Sequence, residues 1–123
     1  MWPNIEWGDG SAEPKILTPP THIVWKHMES LYKKGKAKSI GVSNCTIPVL
    51  IDLLAGCEIK PHVNQIEIHP YLQNTEVINF HKKFNILVQA YAPICHGLNS
   101  KGVNSLVDPV IVDIASKYGR PPV

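Results

Sequence analysis

An α/β fold with a parallel sheet is predicted by three strand-like segments, each followed by a segment with helical periodicity. The strand-like segments cover residues 39–45, 62–68 and 86–91. Their starts lie about 24 residues apart, which leaves room for the long crossover that a parallel strand pair requires. Four polar or aromatic residues lie at the ends of these segments: Ser43, Asn44, Gln65 and Tyr91. Because parallel strands end at one edge of a sheet, we expect these side chains to lie close together and to hold a flat ring that bears an amide.

The first part of the chain is predicted to be a loop followed by a helix. Glycines and prolines interrupt residues 2–20, and the apolar residues there show no period. A helix is predicted over residues 21–34, with Thr21 as its N-cap and Gly35 just beyond its last turn. We expect Trp25 to be a packing residue of this helix. The apolar face of the helix is predicted to consist of Val24, Met28, Leu31 and Tyr32.

Two further helices are predicted between the strands, over residues 47–55 and 75–84. Thr46 is the expected N-cap of the former, and Asn74 or Thr75 that of the latter. The apolar faces are predicted to consist of Leu50, Leu53 and Leu54 in the former helix and of Val77, Ile78, Phe80 and Phe84 in the latter.

The last part of the chain is predicted to be a loop over residues 93–107 and a helix. Asp108 is the expected N-cap, Pro109 suits the first helical position, and Gly119 ends the helix. Three parallel strands have two open edges, which favour pairing with further strands. The sequence therefore predicts part of a larger sheet.

Composition excludes several classes of protein. A net charge of +2 in 123 residues gives no reason to expect a nucleic-acid partner. The longest apolar stretch, residues 47–55, is far shorter than a membrane span. Three widely spaced cysteines without a C-x-x-C pattern predict neither a disulfide framework nor a zinc site, and the histidines lack metal-binding spacing. The N-terminus has no signal-peptide pattern, so we expect a cytoplasmic protein.

The strand-like segments resemble the aldo-keto reductase family. The sequence MESLYKKGKAKSIGVSNC (residues 28–45) resembles a signature of that family, except that Cys45 replaces the usual Phe or Tyr. PHVNQIEIHPY (residues 61–71) and LVQAYAP (residues 87–93) are two further matches. The resemblance covers the middle portion of a family member and implies a partial (β/α)8 barrel, with residues 1–123 as one partial domain that lacks the first and last strands.

The resemblance implies an NADPH-dependent reductase of aldehydes and ketones, with NADH as a possible cofactor. It implies that Ser43, Asn44 and Gln65 bind the nicotinamide carboxamide and that Tyr91 stacks on the ring. Trp2 resembles a tryptophan that lines the pocket for a small carbonyl substrate. Met1 replaces the catalytic histidine before it, and the other catalytic residues of the family lie on earlier strands. No catalytic residue is therefore expected among residues 1–123, and Ala92 replaces a serine that contacts the cofactor phosphate.

Two functions remain open from the sequence. The first is a portion of a carbonyl reductase that binds NADPH weakly and catalyses nothing by itself. The second is a non-catalytic binding or regulatory protein on a partial barrel, in which two copies could close the sheet. The physiological substrate and the oligomeric state are not determined by the sequence.

Overall fold

The N-terminal part contains a short antiparallel ladder where the sequence predicted a loop. The computed structural model describes residues 19–95 and 104–123 and, as backbone only, the strands β1 (Ile5–Glu6) and β2 (Lys15–Ile16). In this ladder Ile5 lies opposite Ile16. The prediction of a loop over residues 2–20 was wrong at these positions, because strands of two residues are too short to show alternation in the sequence.

Parallel strands and helices alternate through the rest of the described chain. The elements are α1 (Thr21–Lys33), β3 (Gly41–Ser43), α2 (Ile47–Gly56), β4 (Val63–Glu67), α3 (Thr75–Phe84), β5 (Leu87–Tyr91), a 3₁₀ turn (Ser105–Val107) and α4 (Pro109–Lys117). The strands β3, β4 and β5 form one parallel sheet in that order. The predicted parallel α/β fold is confirmed. No helix among the described residues has the length and apolar character needed to cross a membrane.

Local signals in the sequence located most helix ends correctly. Gly35 adopts a left-handed conformation with φ of 67° just beyond α1, as the C-terminal signal predicted. Asp108 is the N-cap of α4, and its side chain accepts hydrogen bonds from the Val110 and Ile111 amides. The N-cap predicted for α1 was wrong: Pro20 occupies that position, and Thr21 is the first helical residue.

The buried face of α1 differs from the prediction. Val24 and Leu31 are 41% and 45% exposed, whereas Trp25 and Glu29 are 3% and 5% exposed. The Trp25 indole donates to the Ile59 carbonyl at 2.8 Å. Trp25 packs with Ile40 and Leu53 in the main core cluster. The packing role predicted for Trp25 is therefore confirmed.

The carboxylate of Glu29 is buried because it has backbone partners. One of its oxygens accepts hydrogen bonds from the Glu58 and Ile59 amides, both at 2.8 Å. These bonds compensate for the loss of water around the charge. Glu29 thus fixes the turn between α2 and β4 against α1.

The two faces of the sheet have different surroundings. Asn64 and Ile66 of β4 are buried, whereas the alternate residues of the same strand are half-buried or exposed. Alternation along a strand sends successive side chains to opposite faces. Gln65 therefore lies on the face opposite to that of Asn64, which contacts α3.

Candidate functional site

Strand register places the predicted site residues near one another: Ser43 and Tyr91 are the last residues of β3 and β5, whereas Gln65 is the central residue of β4 and not, as predicted, at its end. Ser43 on β3 lies beside Gln65 on β4, and Gln65 lies beside Gln89 on β5. Tyr91 lies beside Glu67, two residues further towards the C-terminal edge. With strands about 4.8 Å apart and a rise of about 3.3 Å per residue, the Cα atoms of Gln65 and Tyr91 are about 8 Å apart. A planar group of nicotinamide size could contact both side chains.

The end of β3 is fixed by one carbonyl of β4. The Ser43 hydroxyl donates to the Gln65 carbonyl at 3.1 Å, and the Asn44 amide donates to the same oxygen at 2.9 Å. Asn44 has φ of 55°, a left-handed conformation that asparagine tolerates better than most residues. The chain therefore turns away from the sheet at Asn44 and leaves the exposed side chains of Ser43 and Asn44 at its edge.

The side chain of Asn64 holds the backbone of the next residue, Cys45, in place. Its side-chain oxygen accepts from the Cys45 amide at 3.4 Å, and its side-chain nitrogen donates to the Cys45 carbonyl at 2.9 Å. Asn64 is completely buried. Sequence reasoning did not single out Asn64 by itself, although a polar residue within an apolar strand is a signal of such a role.

Tyr91 ends β5 and is 52% exposed. Its carbonyl accepts from the Ile68 amide at 3.3 Å, which continues the pairing beyond β4. Ala92 follows with φ of 51°, a conformation that costs about 1 kcal/mol or more for alanine. The chain thus turns sharply after the aromatic side chain.

Tyr71 connects the segment after β4 to the start of α4. Its hydroxyl donates to the Asp108 carboxylate at 2.6 Å. This hydrogen bond raises the pKa of Tyr71 to about 12 and lowers the pKa of Asp108. The shifts favour the pair in which tyrosine is protonated and aspartate is charged.

The cysteine next to the site is poorly placed for thiol chemistry. Cys45 is 7% exposed, and burial raises the pKa of its thiol. A buried thiol with a raised pKa carries little thiolate at neutral pH. Among the described residues, no group of three or more His, Cys, Asp or Glu side chains could hold a metal ion.

The basic residues near the end of α1 line a groove that is separate from the candidate site. Lys33 donates to Glu58 at 2.5 Å, and this contact raises the pKa of Lys33 and lowers that of Glu58. Both side chains are exposed, so the ion pair contributes little to stability. A shallow groove of about 550 Å³ is lined by these two residues and by Lys26, Glu29, Ser30 and Lys34. Its lining includes none of the strand-end residues.

One residue of the predicted site, Trp2, which was expected to line the substrate pocket, lies outside the described residues. Met1, where the resemblance implied the loss of a histidine, lies outside them as well.

The chain has relatives among known proteins. The model of the Aldo/keto reductase family matches residues 9–110. The chain belongs to this family. Over 116 residues it is 46% identical to a glycerol 2-dehydrogenase (NADP(+)) of Saccharomyces cerevisiae, which covers 93% of this chain and 36% of that protein.

Solved structures extend this likeness to three dimensions. The aldose reductase from Schistosoma japonicum superposes with a TM-score of 0.78 at 31% identity, over 93% of this chain and 35% of that one. A mutant of Gox0644 in complex with NADPH superposes with a TM-score of 0.71 at 38% identity, over 80% and 34%. The chain spans about a third of the length of these relatives. It has the alternating parallel strands and helices of part of their (β/α)8 barrel, which confirms the predicted fold class.

Proposed function

We propose that this chain supplies the nicotinamide-binding strand ends of an NADPH-dependent aldo-keto reductase that reduces aldehydes or ketones to alcohols. The observation that carries the proposal is the register that aligns Ser43 with Gln65 and places Tyr91 two residues further along, on the neighbouring strand. The NADP(+) in the name of the yeast relative and the NADPH bound to the Gox0644 mutant support the choice of cofactor.

The hydrogen-bonding groups at the strand ends fit a carboxamide. The Ser43 hydroxyl donates to a carbonyl, so it acts as an acceptor towards a further partner such as a carboxamide N–H. The side chains of Asn44 and Gln65 each offer a donor and an acceptor, which suits both ends of an amide. NADPH, when bound, supplies the hydride.

Tyr91 fits the flat face of the ring. It is half exposed and lies on the same side of the sheet as Gln65, because their register positions differ by two residues. In this assignment Ser43, Asn44 and Gln65 orient the carboxamide in its plane, and Tyr91 covers one face of the ring. The opposite face is then left for a small carbonyl substrate, beside which we place Trp2.

These proposed contacts predict only weak binding of NADPH by residues 1–123. Three neutral hydrogen bonds contribute about 1 kcal/mol each, and a ring stack contributes about 1 kcal/mol. The sum of roughly 4 kcal/mol corresponds to a Kd of about 1 mM. A positioned general acid contributes roughly 10²- to 10⁴-fold to rate, and we assign none to residues 1–123. We therefore propose that this single partial barrel domain binds NADPH weakly and reduces no carbonyl compound by itself, with NADH as a second cofactor to be compared.

Titration of residues 1–123 with NADPH, followed by cofactor fluorescence, tests the proposal. Gln65→Leu is expected to weaken binding about fivefold, the equivalent of one hydrogen bond of about 1 kcal/mol. Gln73→Leu is the control, since Gln73 is an exposed glutamine outside the sheet, and it is expected to leave the affinity unchanged. Equal affinity in the Gln65→Leu variant and the wild type would refute the assigned contact. No binding by the wild type, together with a stable dimer, would favour the non-catalytic alternative.

A further inference from the structure

His81 is a buried polar residue that the proposed chemistry does not use. It lies on α3, it is completely buried, and its ring packs edge-on against Phe80 with centroids 5.9 Å apart. A histidine in such a place requires partners for both ring nitrogens, because an unpaired buried polar group is costly.

The partners of His81 determine which ring nitrogen carries the proton. Nδ1 lies 2.6 Å from the Val77 carbonyl, which can only accept, so Nδ1 carries the hydrogen. In the neutral ring Nε2 is then an acceptor. It lies 2.9 Å from the side-chain nitrogen of Asn64, which donates to it.

The same amide is fixed at its other end by the chain that follows β3. The two hydrogens of the Asn64 side-chain nitrogen serve His81 and the Cys45 carbonyl, and its oxygen accepts from the Cys45 amide. If the Asn64 amide were flipped, its oxygen would face the Cys45 carbonyl and its nitrogen the Cys45 amide. The Nε2 atom of His81 can accept a hydrogen bond only when the side-chain nitrogen of Asn64 faces it. In that orientation the Asn64 amide also pairs with the Cys45 backbone, so His81 stabilises the orientation of Asn64 that holds Cys45.

We propose that His81 is a positioning residue for the nicotinamide site, acting through Asn64 on the backbone of Cys45. Cys45 directly follows Ser43 and Asn44, whose own bonds to the Gln65 carbonyl hold the other side of the same turn. A helix on one face of the sheet thereby orients the ligand-binding residues at its edge. The inference rests on the proposed function for its role in binding, but the contact itself is tested separately.

Amide hydrogen exchange of the Cys45 N–H, measured by NMR together with NADPH titration, tests this role. His81→Leu removes the acceptor, whereas His81→Gln offers an amide oxygen in place of Nε2. In the Leu variant we expect Cys45 to exchange about tenfold faster relative to the amides of α1, and NADPH to bind about threefold to tenfold more weakly, the equivalent of one hydrogen bond. The Gln variant is expected to recover most of both losses. His27→Leu, which removes an exposed histidine of α1, is expected to change neither.

The outcomes separate this inference from the proposed function. A uniform loss of protection in α1 and at Cys45, without recovery in the Gln variant, would show a merely structural role and overturn the inference. If the wild type binds no NADPH, the proposed function fails, and the Cys45 exchange rates still decide whether His81 positions the turn. The wild type also allows a test without substitution: NMR of the ring nitrogens is expected to show protonated Nδ1 and unprotonated Nε2. The opposite tautomer would refute the relay even if the Leu variant does not fold.

Discussion

Substitution of Gly41 by alanine should separate the two strands that form the candidate site. A Cβ atom at Gly41 would lie 2.3 Å from Cγ1 of Val63 and 2.6 Å from the Val63 carbonyl oxygen. Rotation of the valine side chain can relieve the first contact. The second involves the backbone of β4, so relief requires that β3 and β4 move apart.

The expected cost follows from that geometry. Overpacking at well-packed positions destabilises by about 1–3 kcal/mol, and we expect Gly41→Ala near the upper end because the obstructing atom belongs to the backbone. The same displacement would lengthen the Ser43 and Asn44 bonds to the Gln65 carbonyl, so NADPH affinity should fall as well. Gly41→Ala combined with Val63→Ala should recover only part of the loss.

Urea unfolding followed by circular dichroism measures this effect, with Gly56→Ala as the matched control. A Cβ atom at Gly56 meets nothing within 4 Å, and alanine is the better helix former by up to about 1 kcal/mol. The control should therefore be as stable as the wild type or more stable. Equal unfolding midpoints for Gly41→Ala and Gly56→Ala would refute the close approach of β3 to β4.

Three further predictions concern the turn, the pH dependence and the thiols. Asn44→Gly should keep the left-handed turn and lose only NADPH affinity. Asn44→Ala should also lower the unfolding free energy by about 1 kcal/mol, because alanine is strained in that conformation. Equal stability of the two variants would contradict this prediction. The hydrogen bond from Tyr71 to Asp108 should contribute fully to stability below the ordinary tyrosine pKa, and this contribution should be lost as pH rises through about 12. At acid pH the contribution should be lost as pH falls through the lowered pKa of Asp108. The absorbance difference between wild type and Tyr71→Phe should accordingly titrate near 12, and titration at the usual value of about 10 would refute the bond. In the folded protein an alkylating reagent should modify the half-buried Cys57 before the buried Cys45, and peptide mapping that finds Cys45 modified first would contradict its burial.

The parallel sheet could be predicted because its signals are local. The spacing of strand-like segments fixes a crossover length, and caps such as Asp108 and Gly35 act within one turn of the chain. The alignment of Ser43 with Gln65 follows from the same repeat, since equivalent positions of successive strand–helix units lie at one level of the sheet.

The buried polar residues could not be predicted in the same way. Glu29 and His81 are polar residues on helical segments, and helical periodicity assigns such residues to the surface. Their burial depends on partners 29 and 17 positions away in the chain, which only the tertiary structure brings near. Val24 and Leu31 were wrongly assigned to the buried face of α1 for the same reason, because the contacts of Trp25 and Glu29 with the segment before β4 set the rotation of that helix.

The most direct test of the nicotinamide site is an NADPH titration of ¹⁵N-labelled residues 1–123 followed by NMR. We expect the largest shift changes at the backbone amides of Ser43, Asn44, Gln65 and Tyr91 and at the side-chain amides of Asn44 and Gln65, with a common Kd of about 1 mM. Shift changes concentrated at Lys26, Lys33 and Lys34, which line the groove beside α1, would contradict the account. The absence of shift changes at the four predicted site residues would contradict it as well.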